Sequence, residues 1–173
     1  RANLLVVHHG MFWRPTTPWI GQRAEQLRLL VEADLAVYSM HLPLDAHPTI
    51  GNAARLAKAL GLGRLSPFFH EAKRPGQFVG WQATLPRPWT RTELALRLES
   101  IVGRPVTVLP GGGAKCRRIG ICTGGAGSQL DAARREGVDA FITGEGPHWS
   151  HALAEELGMN VFYGGHYATE TFG

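Results

Sequence analysis

Cysteine is scarce in this sequence, which holds only Cys116 and Cys122. There is no CxxC pair, so nothing points to a thiolate zinc site, a dithiol redox motif or a disulfide-built extracellular scaffold. A reducing cytosol, and with it a cytoplasmic protein, is the expectation. Long apolar runs are also missing. None approaches the roughly 18 residues that would suggest a membrane span, so no membrane role is expected. Charge of one sign is lacking too: 18 Lys and Arg stand against 14 Asp and Glu, a net charge of +4. The basic residues scatter except around Lys115, Arg117 and Arg118, a poor footprint for nucleic acid. No initiating Met and no signal-peptide pattern occur, because Arg1-Ala2-Asn3 runs straight into the strand-like Leu4 to Val7. The expectation is a chain that begins inside a longer protein.

What the sequence does have is alternation. Short β-branched or apolar runs alternate with helical patterns, the signature of an α/β fold, and 173 residues suit one domain spanning 1–173. Strands are expected near Leu4 to His8, Leu35 to Ser39, Gln77 to Leu85, Val106 to Leu109, Arg118 to Cys122, Ala140 to Thr143 and Asn160 to Tyr163. Helices are expected at Ile20 to Glu32, Thr49 to Leu60, Thr92 to Val102, Ser128 to Glu136 and Trp149 to Leu157, where apolar residues recur at three- and four-residue steps. Gly61 and Gly137 follow helical runs where a C-terminal cap wants positive φ, and Pro48 reads as a first-turn residue. Prolines make Ser66 to Gly76 and Pro86 to Trp89 read as loop.

The first strand ends in Val7-His8-His9-Gly10. Four apolar residues predict burial on both faces, as in a parallel sheet, which puts His8 and His9 at the carboxyl edge where such sheets place ligands. Both rings reach one site only if the strand stops there, and Gly10 permits that. One buried and one exposed histidine is the plainer alternative. Asp45, in His41-Leu42-Pro43-Leu44-Asp45-Ala46-His47-Pro48, follows the second strand; alone it reads as a turn residue, and His47 as a helix-flanking one. The last strand runs into Gly165-His166-Tyr167-Ala168-Thr169-Glu170, where His166 and Glu170 at i and i+4 share one face of a helical turn and can reach one metal. Three strand ends thus offer His-His, Asp and His/Glu.

The segments LLVVHHG, HLPLDAHPTIGNAARLAKALGL, CTGGAGS, DAFITGE and GGHYATE together resemble the NIF-three-like dinuclear metal centre family, known as GTP cyclohydrolase 1 type 2 homologues. The likeness spans nearly the whole chain and is strongest to the proteobacterial branch, with HHG and HLPLDAHP. It implies an α/β fold of mixed sheets with helices packed around them, and a toroidal homohexamer. It also implies that His8, His9, Asp45, His166 and Glu170 bind two divalent ions, Glu170 bridging, His9 and Asp45 on one ion, His8 and His166 on the other. Family members carry a strand and helix before the HH strand and a helix after ATE, so the full-length protein is expected to hold such elements beyond these 173 residues.

Three imidazoles and two carboxylates suit zinc, iron or manganese. Two such ions roughly 3.5 to 4 Å apart would activate a water between them, which is hydrolase equipment. In a cyclohydrolase reading that water opens the imidazole ring of guanine, and Glu145, at another strand's carboxyl end, is the candidate general acid or base. The expected partner is a nucleotide or similar small molecule; the alternative is a non-catalytic metal-binding scaffold. His41 reads either as orienting a ligand or as a structural histidine. His70, His148 and His151 carry no ligand expectation. Gly124-Gly125-Ala126-Gly127-Ser128 reads as a tight turn or a phosphate cradle at a helix start. Phe12, Trp13 and Trp19 around Arg14 and Pro15 read as an apolar lid, a subunit contact or a stack for a base.

Overall fold

A computed structural model describes residues 2–12, 17–70 and 76–173. The backbone groups into two units, Arg1–Leu44 and Asp45–Gly173.

The first unit is a single β-α-β crossover. Strand β1 (Leu4–Val7) leads to helix α1 (Gln22–Glu32) and strand β2 (Ala36–Ser39), and the two strands pair in parallel from Leu4↔Ala36 to Val7↔Ser39. The expected burial of β1 on both faces is not what the structure has: Leu4, Leu5 and Val6 are 53%, 44% and 64% exposed. The cause is the small size of this sheet. Only β2 flanks β1 among the described residues, and α1 buries none of its side chains.

A four-residue helix, α2 (Leu42–Asp45), precedes α3 (Asn52–Ala59). The expected start of α3 at Thr49 moves to Asn52, because residues 47–51 form a turn of their own. The backbone N–H groups of Thr49 and Ile50 both donate to His47 Nδ1, and that of Gly51 to the His47 carbonyl.

The second unit then builds a six-stranded sheet from β3 (Ser66–His70), β4 (Phe78–Thr90), β5 (Thr107–Pro110), β6 (Lys115–Ile121), β7 (Ala140–Thr143) and β8 (Asn160–Tyr163), in the order β3-β4-β6-β7-β8-β5. Strands β6, β7 and β8 are mutually parallel; β3, β4 and β5 join antiparallel. The helices are α4 (Arg91–Val102), α5 (Leu130–Arg135), α6 (Ser150–Glu156) and α7 (His166–Thr169).

Both loop expectations fail at their prolines. Ser66 to His70 is the edge strand β3, where the missing N–H of Pro67 costs little and the buried Phe68 supplies packing; residues 71–75 of that stretch lie outside the described residues. Pro86 and Pro88 lie within β4, where its register against β6 shifts between Thr84 and Trp89, the place a strand tolerates proline. Successive residues of a strand face opposite sides, and the core divides accordingly. Ala140 and Ile142 pack with Leu56 of α3 and Leu94 and Leu98 of α4. Phe141 packs with Leu130 of α5 and Ala154 of α6. The sheet is therefore covered on both faces, and the capping expectation holds: Gly61 and Gly137 have φ of 75° and 80°. No helix among the described residues is long and apolar enough to cross a membrane.

Candidate metal centre

Three neighbouring parallel strands bring the carboxylates of the second unit together. Past Ile121↔Ile142 and Thr143↔Tyr163 the ladder continues into the loops. Gly144 N–H donates to the Gly124 carbonyl at 2.7 Å, and Gly165 N–H to the Gly144 carbonyl at 2.8 Å. The segments after β6, β7 and β8 are thus laced side by side, which sets Glu145 next to His166. His166 Nδ1 lies 2.8 Å from Glu145 Oε1, and its Nε2 lies 3.2 Å from Glu170 Oε2. The i, i+4 spacing does bring His166 and Glu170 together, across α7.

Because a carboxylate only accepts, Nδ1 carries the hydrogen it shares with Glu145. With that hydrogen on Nδ1, Nε2 lies beside the Glu170 carboxylate where the two can share a cation. A histidine oriented by a carboxylate on one nitrogen is the usual form of a metal ligand. The donor set of this unit fits a hard or borderline divalent ion.

Asp45 is buried, only 5% exposed, and two donors hold it. Asn52 Nδ2 reaches Asp45 Oδ1 at 2.9 Å and Thr123 Oγ1 reaches it at 3.3 Å. Neither Asn52 nor Thr123 stood out in the sequence, and only their places, at a helix start and beside Cys122, hinted at them. Cys122 marks the neighbourhood: burial pushes its thiol well above the ordinary range, and the Asp45 and Glu170 charges push it the same way. Both carboxylates therefore act on one spot at the end of β6.

The glycine-rich loop is part of this construction. Gly124 has φ of 72°, and a Cβ there would run into Glu170 Oε1 and come within 3.2 Å of His166 Nε2. Three of its backbone donors are used internally: Gly124 N–H reaches Thr169 Oγ1, Ala126 N–H reaches Thr143 Oγ1, and Gly127 N–H reaches the Glu145 carbonyl. These bonds, with the 3-10 turn Ala126–Ser128 that follows, fit the tight-turn reading.

The first unit carries three more imidazoles, those of His8, His9 and His41. His8 Nδ1 donates to the Met40 carbonyl at 2.9 Å, and the rings of His8 and His9 lie 4.8 Å apart, so the strand end does gather both. His41 joins them, 5.1 Å from each ring. Three other histidines have structural partners: His47 closes its turn, His70 pairs with Glu136, and His151 lies 3.7 Å from Glu155. Phe12 and Trp19 stand 5.2 Å apart with Arg23 over the Trp19 ring; Trp13, Arg14 and Pro15 lie outside the described residues.

Comparison with known proteins gives this arrangement its context. The chain is 41% identical over 175 residues to a protein of Halobacterium salinarum and 40% identical over 178 residues to one of Escherichia coli, each covering 99% of this chain. Both are named GTP cyclohydrolase 1 type 2 homolog. The chain spans 64% to 68% of the length of the curated relatives it matches. A solved structure described as protein ybgI, of unknown function, superposes with a TM-score of 0.85 at 37% identity, covering 99% of this chain and 67% of that one. The family model of Duf34/NIF3 (NGG1p interacting factor 3) matches residues 1–173. The chain belongs to the Duf34/NIF3 family.

Proposed function

We propose that this protein is a dinuclear metal-dependent hydrolase acting on a nucleotide or a similar polar small molecule. His9 and Asp45 would hold one ion, His8 and His166 the other, with Glu170 shared between them. The observation that carries the reading is His166 with a carboxylate on each ring nitrogen, Glu145 on Nδ1 and Glu170 on Nε2. When bound, two ions held in this way would supply an activated water and polarise the bond under attack. Zinc, iron or manganese suits the mixed nitrogen and oxygen donors.

The chain's own residues do the rest. Glu145 keeps the hydrogen on Nδ1, so that Nε2 presents its lone pair. With its side chain 64% exposed, it also has the access to water that a proton-transfer group needs. Asn52 and Thr123 fix the buried Asp45, and Gly124 leaves Glu170 its room. The nucleotide to test is GTP, which the relatives' names suggest. We further propose a cytoplasmic protein that assembles as a ring-shaped homohexamer, as the family resemblance implies.

Elemental analysis of the purified chain tests the first half: two equivalents of a transition metal are expected, and none would overturn the reading. Turnover of GTP by the loaded protein, abolished in His166→Ala, tests the second. Bound metal with no turnover of any nucleotide would overturn the hydrolase and leave a metal-binding scaffold.

A further inference from the structure

The connection between α4 and β5 lies at the same edge of the sheet as His166. β5 runs antiparallel to β8 with Thr107 opposite Tyr163, so the residues just before Thr107 sit beside the carboxyl end of β8, where His166 follows. That connection is short and pinned. Gly103 closes α4 at φ of 69° with its N–H on the Glu99 carbonyl, and the Val106 N–H donates to Glu99 Oε1 at 3.0 Å. Between these two anchors stands Arg104, exposed, with its guanidinium laid over Gly165. A Cβ on Gly165 would come within 2.7 Å of Arg104 Nη1 and 3.1 Å of Cζ, so the missing side chain is what lets the arginine lie there. The residue after that glycine is His166.

A second arginine shows such a seat used for structure. Arg118 lies over Gly137, where a Cβ would come within 2.6 Å of Nη1, and its Nη2 donates to the Glu136 carbonyl at 3.0 Å. Arg104 makes no hydrogen bond or ion pair with the described residues. Glu145 and Glu170, the carboxylates on the two nitrogens of His166, bond the imidazole and leave the guanidinium alone.

We propose that Arg104 binds a phosphate group of the substrate beside the metal centre. The proposal rests on the reading of that centre as one that acts on a nucleotide. Asp45, Glu145 and Glu170 make this end of the second unit acidic, which suits cations and repels an anionic substrate. A fixed positive charge next to His166 offsets that repulsion. The guanidinium is charged at every physiological pH, and its planar fork of donors matches two phosphate oxygens at once. Because the connection is pinned at both ends and the side chain is already seated, little ordering cost remains to be met on binding.

Calorimetric titration of the two-metal protein with GTP, inorganic phosphate and guanosine tests this. The variants are Arg104→Met, which keeps an aliphatic stem over Gly165, and Arg104→Lys, which keeps the charge without the fork. Wild type should bind GTP more tightly than guanosine. Arg104→Met should weaken GTP and inorganic phosphate about tenfold or more, with guanosine affinity, metal content and melting temperature unchanged, and Arg104→Lys should recover part of the loss. An unchanged GTP affinity in Arg104→Met would overturn the proposal. So would an equal loss for GTP and guanosine, or a loss of metal, since either would make the arginine a support for Gly165 and nothing more. A wild-type protein that holds its two ions and binds no phosphate compound overturns it as well. A chain that takes up no metal would instead sink the dinuclear reading on which this one stands.

Discussion

Replacing Gly124 by alanine separates two effects that the structure superimposes at that position. The first is backbone strain. Gly124 sits at φ of 72°, and an L-residue in the left-handed region costs about 1–2 kcal/mol. For a chain of this length that lowers the melting temperature by about 2–8 °C. The second is contact: the new Cβ falls inside the 3.0 Å that real Cβ atoms respect, so Glu170 Oε1 must retreat to ordinary contact at 3.4 Å. The retreat is at least 3.4 − 3.0 = 0.4 Å, twice the roughly 0.2 Å by which metal–ligand distances vary. Metal affinity should drop about 10- to 100-fold, the range seen when groups that orient a ligand are disturbed. Gly61→Ala is the control. Its φ is 75° and nothing lies within 4 Å of the added Cβ, so it bears the strain without the contact. Both variants should melt earlier by similar amounts in calorimetry, and only Gly124→Ala should lose affinity in a calorimetric metal titration. Equal affinities in the two variants would refute the reasoning, because the glycine would then serve the backbone alone.

Further outcomes follow from the same lattice of contacts. Glu145→Ala should weaken metal binding about 10- to 100-fold while leaving the metal-free melting temperature close to wild type, and Glu145→Gln should recover part of the loss by still accepting from Nδ1. Thr143→Val removes a buried hydroxyl that accepts from Ala126 N–H and donates to the Gly124 carbonyl, so denaturant titration should show a loss of about 1–3 kcal/mol at an unchanged slope. Burial, reinforced by Asp139, lifts the Cys116 thiol from 9.0 to about 11. The native state then holds a proton that the unfolded chain releases, so its stabilising effect is full below about pH 9 and fades as pH rises toward 11. Urea midpoints across that interval should decline less in Cys116→Ala than in wild type. Neither Cys116 nor Cys122 should react with an alkylating reagent at pH 8 until the protein unfolds, since both thiols are buried and held protonated.

How far these features could be read in advance depended on whether the signal was local. The ends of β7 and β8 were placed to the residue, because Ala140 to Thr143 and Asn160 to Tyr163 are short apolar runs bounded by glycine. His166 and Glu170 were paired by helical spacing alone, and the structure has them 3.2 Å apart. What escaped was set by partners distant in sequence. Pro67 and Pro86 announced loops, yet Phe68 is drawn into a strand by β4 and by the phenylalanine it meets on β7, ring centroids 5.9 Å apart. The apolar run Leu4 to Val7 announced a buried strand, yet burial is a property of neighbours, and this one has a single strand beside it among the described residues. Glu145 shows both limits together. Its place at a strand end was legible, but a general acid and a positioning group look alike in sequence. Only the parallel ladder from Gly124 through Gly144 to Gly165 brings its carboxylate to Nδ1 of His166. The same holds for His41, whose company was decided by a strand register that no run of residues around it encodes.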